Sequence, residues 1–138
     1  TLILGFFSAT FARQGYKIQK KIIKVIIESG VLTDDEIIKC CELYGVAGID
    51  YLKTSTGYAD KGASIEAVKL FRLHLPEAVQ IEASGGIRDY TFAKALVDAG
   101  ATDWDAVLVG YCKPVGESGS PGVREPDRIL IIGLADGL

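Results

Sequence analysis

Lys24-Val-Ile-Ile-Glu28, then Ser29-Gly30, then Thr33-Asp-Asp-Glu36 is the stretch on which the fold turns. A short, continuous β-branched run stopped by Ser-Gly is the pattern of a strand buried on both faces. Thr33 and Glu36 follow at capping-box spacing, where hydroxyl and carboxylate each satisfy an orphan amide of a helix start. Asp34 and Asp35 add negative charge at the positive end of the same helix. Ile37, Ile38, Cys41 and Tyr44 then fall on one helical face, and the helix is expected to stop between Gly45 and Gly48.

The same sentence is then repeated. Residues 49–53 read as a strand and 54–62 as a polar loop. Ser64 caps a helix that carries Ile65, Val68, Phe71 or Arg72, and Leu75 in register, and Pro76 ends it. Residues 79–83 are a third strand, Ser84-Gly-Gly86 a turn, and Asp89 the cap of a helix over 90–99 with Phe92, Leu96 and Val97 inward and Gly100 as its stop. Strand starts at Lys24, Ile49 and Val79 lie 25 and 30 residues apart. Strands alternating with helices at that pace specify right-handed parallel βα units, with helices covering the sheet.

Outward from this centre the pattern weakens. Upstream, residues 1–12 are apolar but shorter than the roughly 20 residues a membrane span needs, and no basic lead precedes them, so an interrupted buried strand is expected. Four lysines in residues 14–24 suit a solvated helix end or a basic linker. Downstream, residues 106–109 read as a further strand, 110–127 as a Gly/Pro-rich loop or tail, and 129–134 as a last apolar run of undecided status. The chain thus divides into an N-terminal segment 1–22, a βα-repeat part 23–109 and a tail 110–138.

Composition narrows the function. The 138 residues are 49% hydrophobic and 24% charged, and 15 Lys+Arg against 18 Asp+Glu leave no positive surplus to neutralise a phosphate backbone, so nucleic acid is not an expected partner. A membrane partner is not expected either. Three cysteines, two of them the neighbours Cys40 and Cys41, do not make a disulfide framework, which favours a reducing, cytoplasmic setting. The single histidine, His74, cannot build a multi-imidazole zinc site or a histidine relay, and reads as a helix-surface residue. The chain begins at Thr1 and contains no Met, and is read as a fragment or processed product.

Chemistry on parallel βα sheets sits beyond the carboxyl ends of the strands. Lys53 closes an otherwise apolar strand. Its amine reads either as turned inward, where desolvation favours the neutral nucleophile, or as snorkelling to solvent. Ser84-Gly-Gly86 reads either as an anion-binding turn ahead of a helix or as a plain tight turn. Neither G-x-G-x-x-G after a strand nor G-x-x-x-x-G-K-[ST] is present, which disfavours a nucleotide- or flavin-dependent barrel.

Taken together, Lys24-Val-Ile-Ile-Glu28, Leu32-Thr-Asp-Asp-Glu-Ile-Ile-Lys39, Ala47-Gly-Ile-Asp-Tyr-Leu-Lys-Thr-Ser-Thr-Gly57, Ala83-Ser-Gly-Gly-Ile-Arg88 and Ala99-Gly-Ala-Thr102 resemble deoxyribose-phosphate aldolase. Several separate motifs in the right order make the resemblance specific, over residues 23–102. It implies an α/β fold of the parallel (β/α)8 TIM-barrel type, here an incomplete barrel of roughly half. It further implies a class I aldolase needing no metal or organic cofactor. Lys53 would attack the carbonyl of 2-deoxyribose 5-phosphate, and carbon–carbon cleavage would release glyceraldehyde 3-phosphate and leave an acetaldehyde enamine. Gly57, Gly85 and Gly86 match positions whose amides hold the substrate phosphate.

Two departures carry further expectations. Glu82 stands where the family has a second lysine, so the charge beside Lys53 is reversed and Lys53 is expected to be held as an ammonium. The chain is then a poor aldolase unless Glu82 serves as general base. The alternative is a non-catalytic phosphate-binding α/β remnant in which Lys53 and Glu82 form a structural ion pair. The family's pattern ends abruptly at both sides of 23–102, as in a truncated or frame-shifted reading of an aldolase gene. Half a barrel also exposes strand edges, which favours pairing of two copies as a homodimer.

Overall fold

In the computed structural model, residues 22–105 and 128–132 are described. Strand β1 (Ile22–Ile26) leads through a 3-10 turn at Ser29–Val31 into helix α1 (Asp34–Ala47). Strand β2 (Tyr51–Lys53), helix α2 (Ile65–His74), strand β3 (Gln80–Ser84), helix α3 (Tyr90–Asp98), strand β4 (Asp103–Asp105) and strand β5 (Arg128–Ile132) follow. All strand pairs are parallel and the sheet order is β4-β3-β2-β1-β5. The repeated βα unit read from the sequence is therefore the architecture of the described chain.

The local signals act as their chemistry requires. Thr33 Oγ1 accepts from Glu36 N at 3.3 Å while Glu36 Oε2 accepts from Thr33 N at 2.7 Å, completing the capping box. Ser64 and Asp89 cap α2 and α3 by accepting from Ala67 N at 3.1 Å and Phe92 N at 2.8 Å. Gly48 ends α1 in a left-handed conformation, φ 71°, which a side chain would make costly.

Differences from the expected pattern have physical reasons. In α1, Cys40 is buried and Ile38 only half-buried. In α3, Ala93 and Leu96, three residues apart, hold the inner face, and Val97, a step of about 100° round the helix from Leu96, is turned outward. The fourth strand spans Asp103–Asp105, ahead of the expected 106–109, which lie outside the described residues. Its place is fixed by pairing: Glu82, Ala83 and Ser84 face Asp103, Trp104 and Asp105 in register. Part of the undecided run 129–134 is strand β5, which pairs along the whole of β1. It lies on the far side of β1 from β2 and covers an apolar edge that would otherwise be open to other chains. The expected N-terminal strand and Gly/Pro-rich tail lie outside the described residues.

Strand alternation separates the two faces of the sheet. Ile23, Val25, Leu52, Ile81 and Ala83 point to the helices, where they pack with Cys41, Tyr44, Val68, Phe71 and Leu96 in one buried core. Each large side chain buried there contributes about 1.5–3 kcal/mol. The opposite face of β1 to β4 carries Lys24, Tyr51, Lys53, Gln80, Glu82 and Asp103, brought into line by the register. No helix of the described residues is long and apolar enough to cross a membrane.

Candidate active site

Lys53 is the last residue of β2, and its register partner on β3 is Glu82. Parallel pairing puts both side chains on the polar face, and Lys53 Nζ lies 2.9 Å from Glu82 Oε1. The Lys53 side chain is 14% exposed and that of Glu82 6%, so the amine is turned inward against the carboxylate and does not snorkel.

Lys24 joins them from β1. Its amine donates to the other carboxylate oxygen, Glu82 Oε2, and lies 4.9 Å from the centroid of the Tyr51 ring. One carboxylate thus bridges two ammonium groups. Burial alone would raise the Glu82 pKa, but the hydrogen bonds from Lys24 and Lys53 and their charges outweigh it and hold the group below its ordinary 4.5. The sequence reading placed Lys24 in an apolar strand and gave it no role. The signal was a lysine two residues into a run of isoleucine and valine.

The depressed pKa sets the sign of an acid effect. Between the folded value and the unfolded 4.5, the unfolded chain binds more protons, so stability rises with pH. The contribution of Glu82 is full above 4.5 and is lost as pH falls through the lower folded value. Urea unfolding from roughly pH 5 to pH 3 should therefore show a falling midpoint that is flatter in Glu82→Gln. Identical slopes in the two proteins would disconnect Glu82 from acid unfolding.

The glycine turns lie at the same carboxyl end of the sheet. Gly57, Gly85 and Gly86 all have positive φ, of 93°, 86° and 74°. A Cβ on Gly85 would stand 3.5 Å from the Gly57 Cα, so the loop after β2 and the turn after β3 are in contact. Gly57 and Gly86 border open space. The two strand ends are also tied by side chains: Thr54 Oγ1 accepts from Ser84 N at 3.0 Å and donates to Ser84 O at 3.1 Å.

Three more participants have no role assigned from the sequence, although Glu28-Ser-Gly30 stands out there as a strand end. Gly62 lies against Gly85 so closely that a Cβ would overlap the Gly85 carbonyl, and Ala63 N donates to both Ser84 O and Gly85 O at 3.0 Å. Glu28, buried and at φ 52°, turns its carboxylate to accept from Thr56 N, so the loop after β1 braces the loop after β2. A left-handed non-glycine residue is held in place by such fixed contacts. Ser29 lines a cavity of about 360 Å³ beside Gly62, and its buried hydroxyl has no hydrogen-bond partner among the described residues.

No family model matches the chain. Over 82 residues, 59% of its length, the chain is 48% identical to deoxyribose-phosphate aldolase of Lactococcus lactis subsp. lactis, of which it covers 37%. A solved structure from Coccidioides immitis assigned as a deoxyribose-phosphate aldolase shares 42% identity and a TM-score of 0.66, over 73% of this chain and 40% of that one. The deoxyribose phosphate aldolase of Aeropyrum pernix, described as a unique tetrameric structure, gives 28% identity and a TM-score of 0.66, over 73% of this chain and 44% of that one. The chain spans little more than a third of the length of the curated relatives it matches. In sequence and in its parallel βα-barrel architecture, the central part of this chain is similar to deoxyribose-phosphate aldolases.

Proposed function

We propose that this chain carries the carbonyl-binding part of a class I aldolase site for 2-deoxyribose 5-phosphate. The single observation behind the reading is the inward amine of Lys53, 2.9 Å from Glu82 at the carboxyl end of a parallel sheet and followed in sequence by Gly57. Neutral Lys53 adds to the aldehyde carbon, and the carbinolamine takes up one proton from solvent and loses water to give the protonated imine. Removal of the proton from the C3 hydroxyl breaks the C2–C3 bond. Its electron pair moves toward the imine, leaving an enamine on Lys53 and releasing glyceraldehyde 3-phosphate. Protonation of the enamine and hydrolysis then free acetaldehyde. Glu82, 2.9 Å from the reacting nitrogen, is its acid–base group, and the amides of Gly57, Gly85 and Gly86 receive the phosphate. Positive φ and open space at Gly57 and Gly86 support that assignment, since backbone there can approach an anion without side-chain hindrance.

The adjacent, buried free thiols Cys40 and Cys41 support a cytoplasmic setting. The tetrameric Aeropyrum pernix relative supports self-association, for which pairing of two copies is the simplest form.

Borohydride reduction in the presence of 2-deoxyribose 5-phosphate, followed by peptide mass spectrometry, tests the reading. A substrate-dependent adduct confined to the Lys53 peptide, and absent from Lys53→Met, is the expected result. Phosphate-dependent protection of the glycine turns without an adduct would instead favour a non-catalytic sugar-phosphate binder. That second reading draws on the observation that Glu82 already bridges two lysines as a structural ion pair.

A further inference from the structure

Building on the Schiff-base reading above, we propose that Lys24 is a positioning residue for that reaction: its buried ammonium is the standing counterion of Glu82 and lets Lys53 release its proton without stranding a carboxylate in the interior. The geometry is built for that task. Lys24 lies one side-chain row nearer the amino ends of the strands than Lys53, opposite Tyr51 in the register. Its side chain extends along the face to Glu82 Oε2 with the Tyr51 ring beside the charge, while Lys53 holds Oε1. The Lys24 and Glu82 side chains are each 6% exposed. An aromatic face and a carboxylate together stabilise an ammonium that water no longer reaches.

The charge count gives the consequence. With all three groups ionised the cluster is +1, from two ammoniums and one carboxylate. Attack on a carbonyl requires neutral Lys53. With Lys24 present, the proton leaves Lys53 for solvent and a neutral Lys24–Glu82 pair remains. When water is then expelled and the imine protonated, a cation returns beside Glu82. Without Lys24, deprotonation of Lys53 would leave Glu82 charged and without that partner in a buried site, which is strongly unfavourable. Lys53 would keep its proton instead. Lys24 thereby offsets the charge reversal that Glu82 introduces.

The charged surroundings come from every strand of the face. Tyr51 and Lys53 stand on β2, and Gln80 and Glu82 on β3. Asp103, the register partner of Glu82, is on β4. On β5 the register sets Leu130 opposite Lys24 and Arg128 opposite Ile22. Farther along the chain from β1, the Glu28 carboxylate is engaged by Thr56 N.

Two readouts test this on the full chain. The first is an NMR titration of the side-chain Cε and Nζ shifts of Lys24 and Lys53, which needs no substrate. The second is the pH dependence of reductive trapping. Lys24→Met should move the Lys53 midpoint up by about one pH unit or more and slow neutral-pH trapping about tenfold, as one unit of added ammonium character requires. Lys24→Arg should restore both. Lys24→Met combined with Glu82→Gln should bring the midpoint back, because no carboxylate remains to hold the proton. A Lys53 midpoint unmoved by Lys24→Met, or moved but not restored in the double variant, refutes the role. If trapping fails in the unaltered protein, the aldolase reading falls, while the NMR titration still decides whether Lys24 is the counterion of Glu82.

Discussion

Replacing Glu82 by lysine should accelerate reductive trapping at Lys53 by about tenfold or more at neutral pH, the change expected when a nucleophile's pKa falls by at least one unit. Glu82 Oε1 is 2.9 Å from the Lys53 amine. At an effective dielectric of about 20, a unit charge at ~4 Å is worth about 4 kcal/mol, and here the sign of the neighbour is inverted. Lys24 already takes one oxygen of the same carboxylate, so only part of that energy acts on Lys53. One pKa unit, about 1.4 kcal/mol, is a conservative remainder. Glu82→Gln separates loss of the negative charge from gain of a positive one and should give an intermediate rate. The strand register rests on backbone pairing of Lys53 with Glu82, which neither substitution removes. Trapping rates measured against pH with 2-deoxyribose 5-phosphate give the answer. Equal rates for glutamate and lysine at position 82 would show that charge there does not govern Lys53.

Gly62→Ala should be the most destabilising small substitution in the site, by about 3 kcal/mol or more, at the upper end of what overpacking costs. Its Cβ would stand 2.2 Å from both the carbonyl carbon and oxygen of Gly85 and 2.8 Å from the Gly85 Cα. These are backbone atoms, so no side-chain rotation relieves the overlap. Relief must come from moving the turn after β3, which also breaks the paired acceptance by Ser84 and Gly85 of the Ala63 amide. Gly57→Ala makes the control. It meets nothing within 4 Å and suffers only from its positive φ, so roughly 1 kcal/mol is expected there. Urea unfolding of the three proteins should rank Gly62→Ala far below Gly57→Ala. Calorimetric binding of inorganic phosphate should weaken in Gly62→Ala as the Gly85 amide is displaced. Similar midpoints for the two variants would mean that the Gly62–Gly85 approach yields easily.

Local chemistry was legible because it acts over a few residues. Thr33, Ser64 and Asp89 are caps in the structure as in the sequence, since a side-chain oxygen three residues before an amide needs no tertiary help. The position of Lys53 at a strand end was legible too. Its direction was not, because snorkelling and inward pointing share the same sequence.

The amino-acid sequence by itself determined the order of βα units, the helix starts and the parallel sense of the sheet, all of which follow from short-range periodicity and capping. Tertiary structure alone decided which charges meet. Lys24 and Glu82 are 58 residues apart, and only the register of three parallel strands puts both on one face within reach of Lys53. It also decided that Gly62 presses on Gly85 and that residues 128–132 close the open side of β1. Pairing between distant segments is set by burial and by the geometry of the whole sheet, and no local window of sequence contains that information.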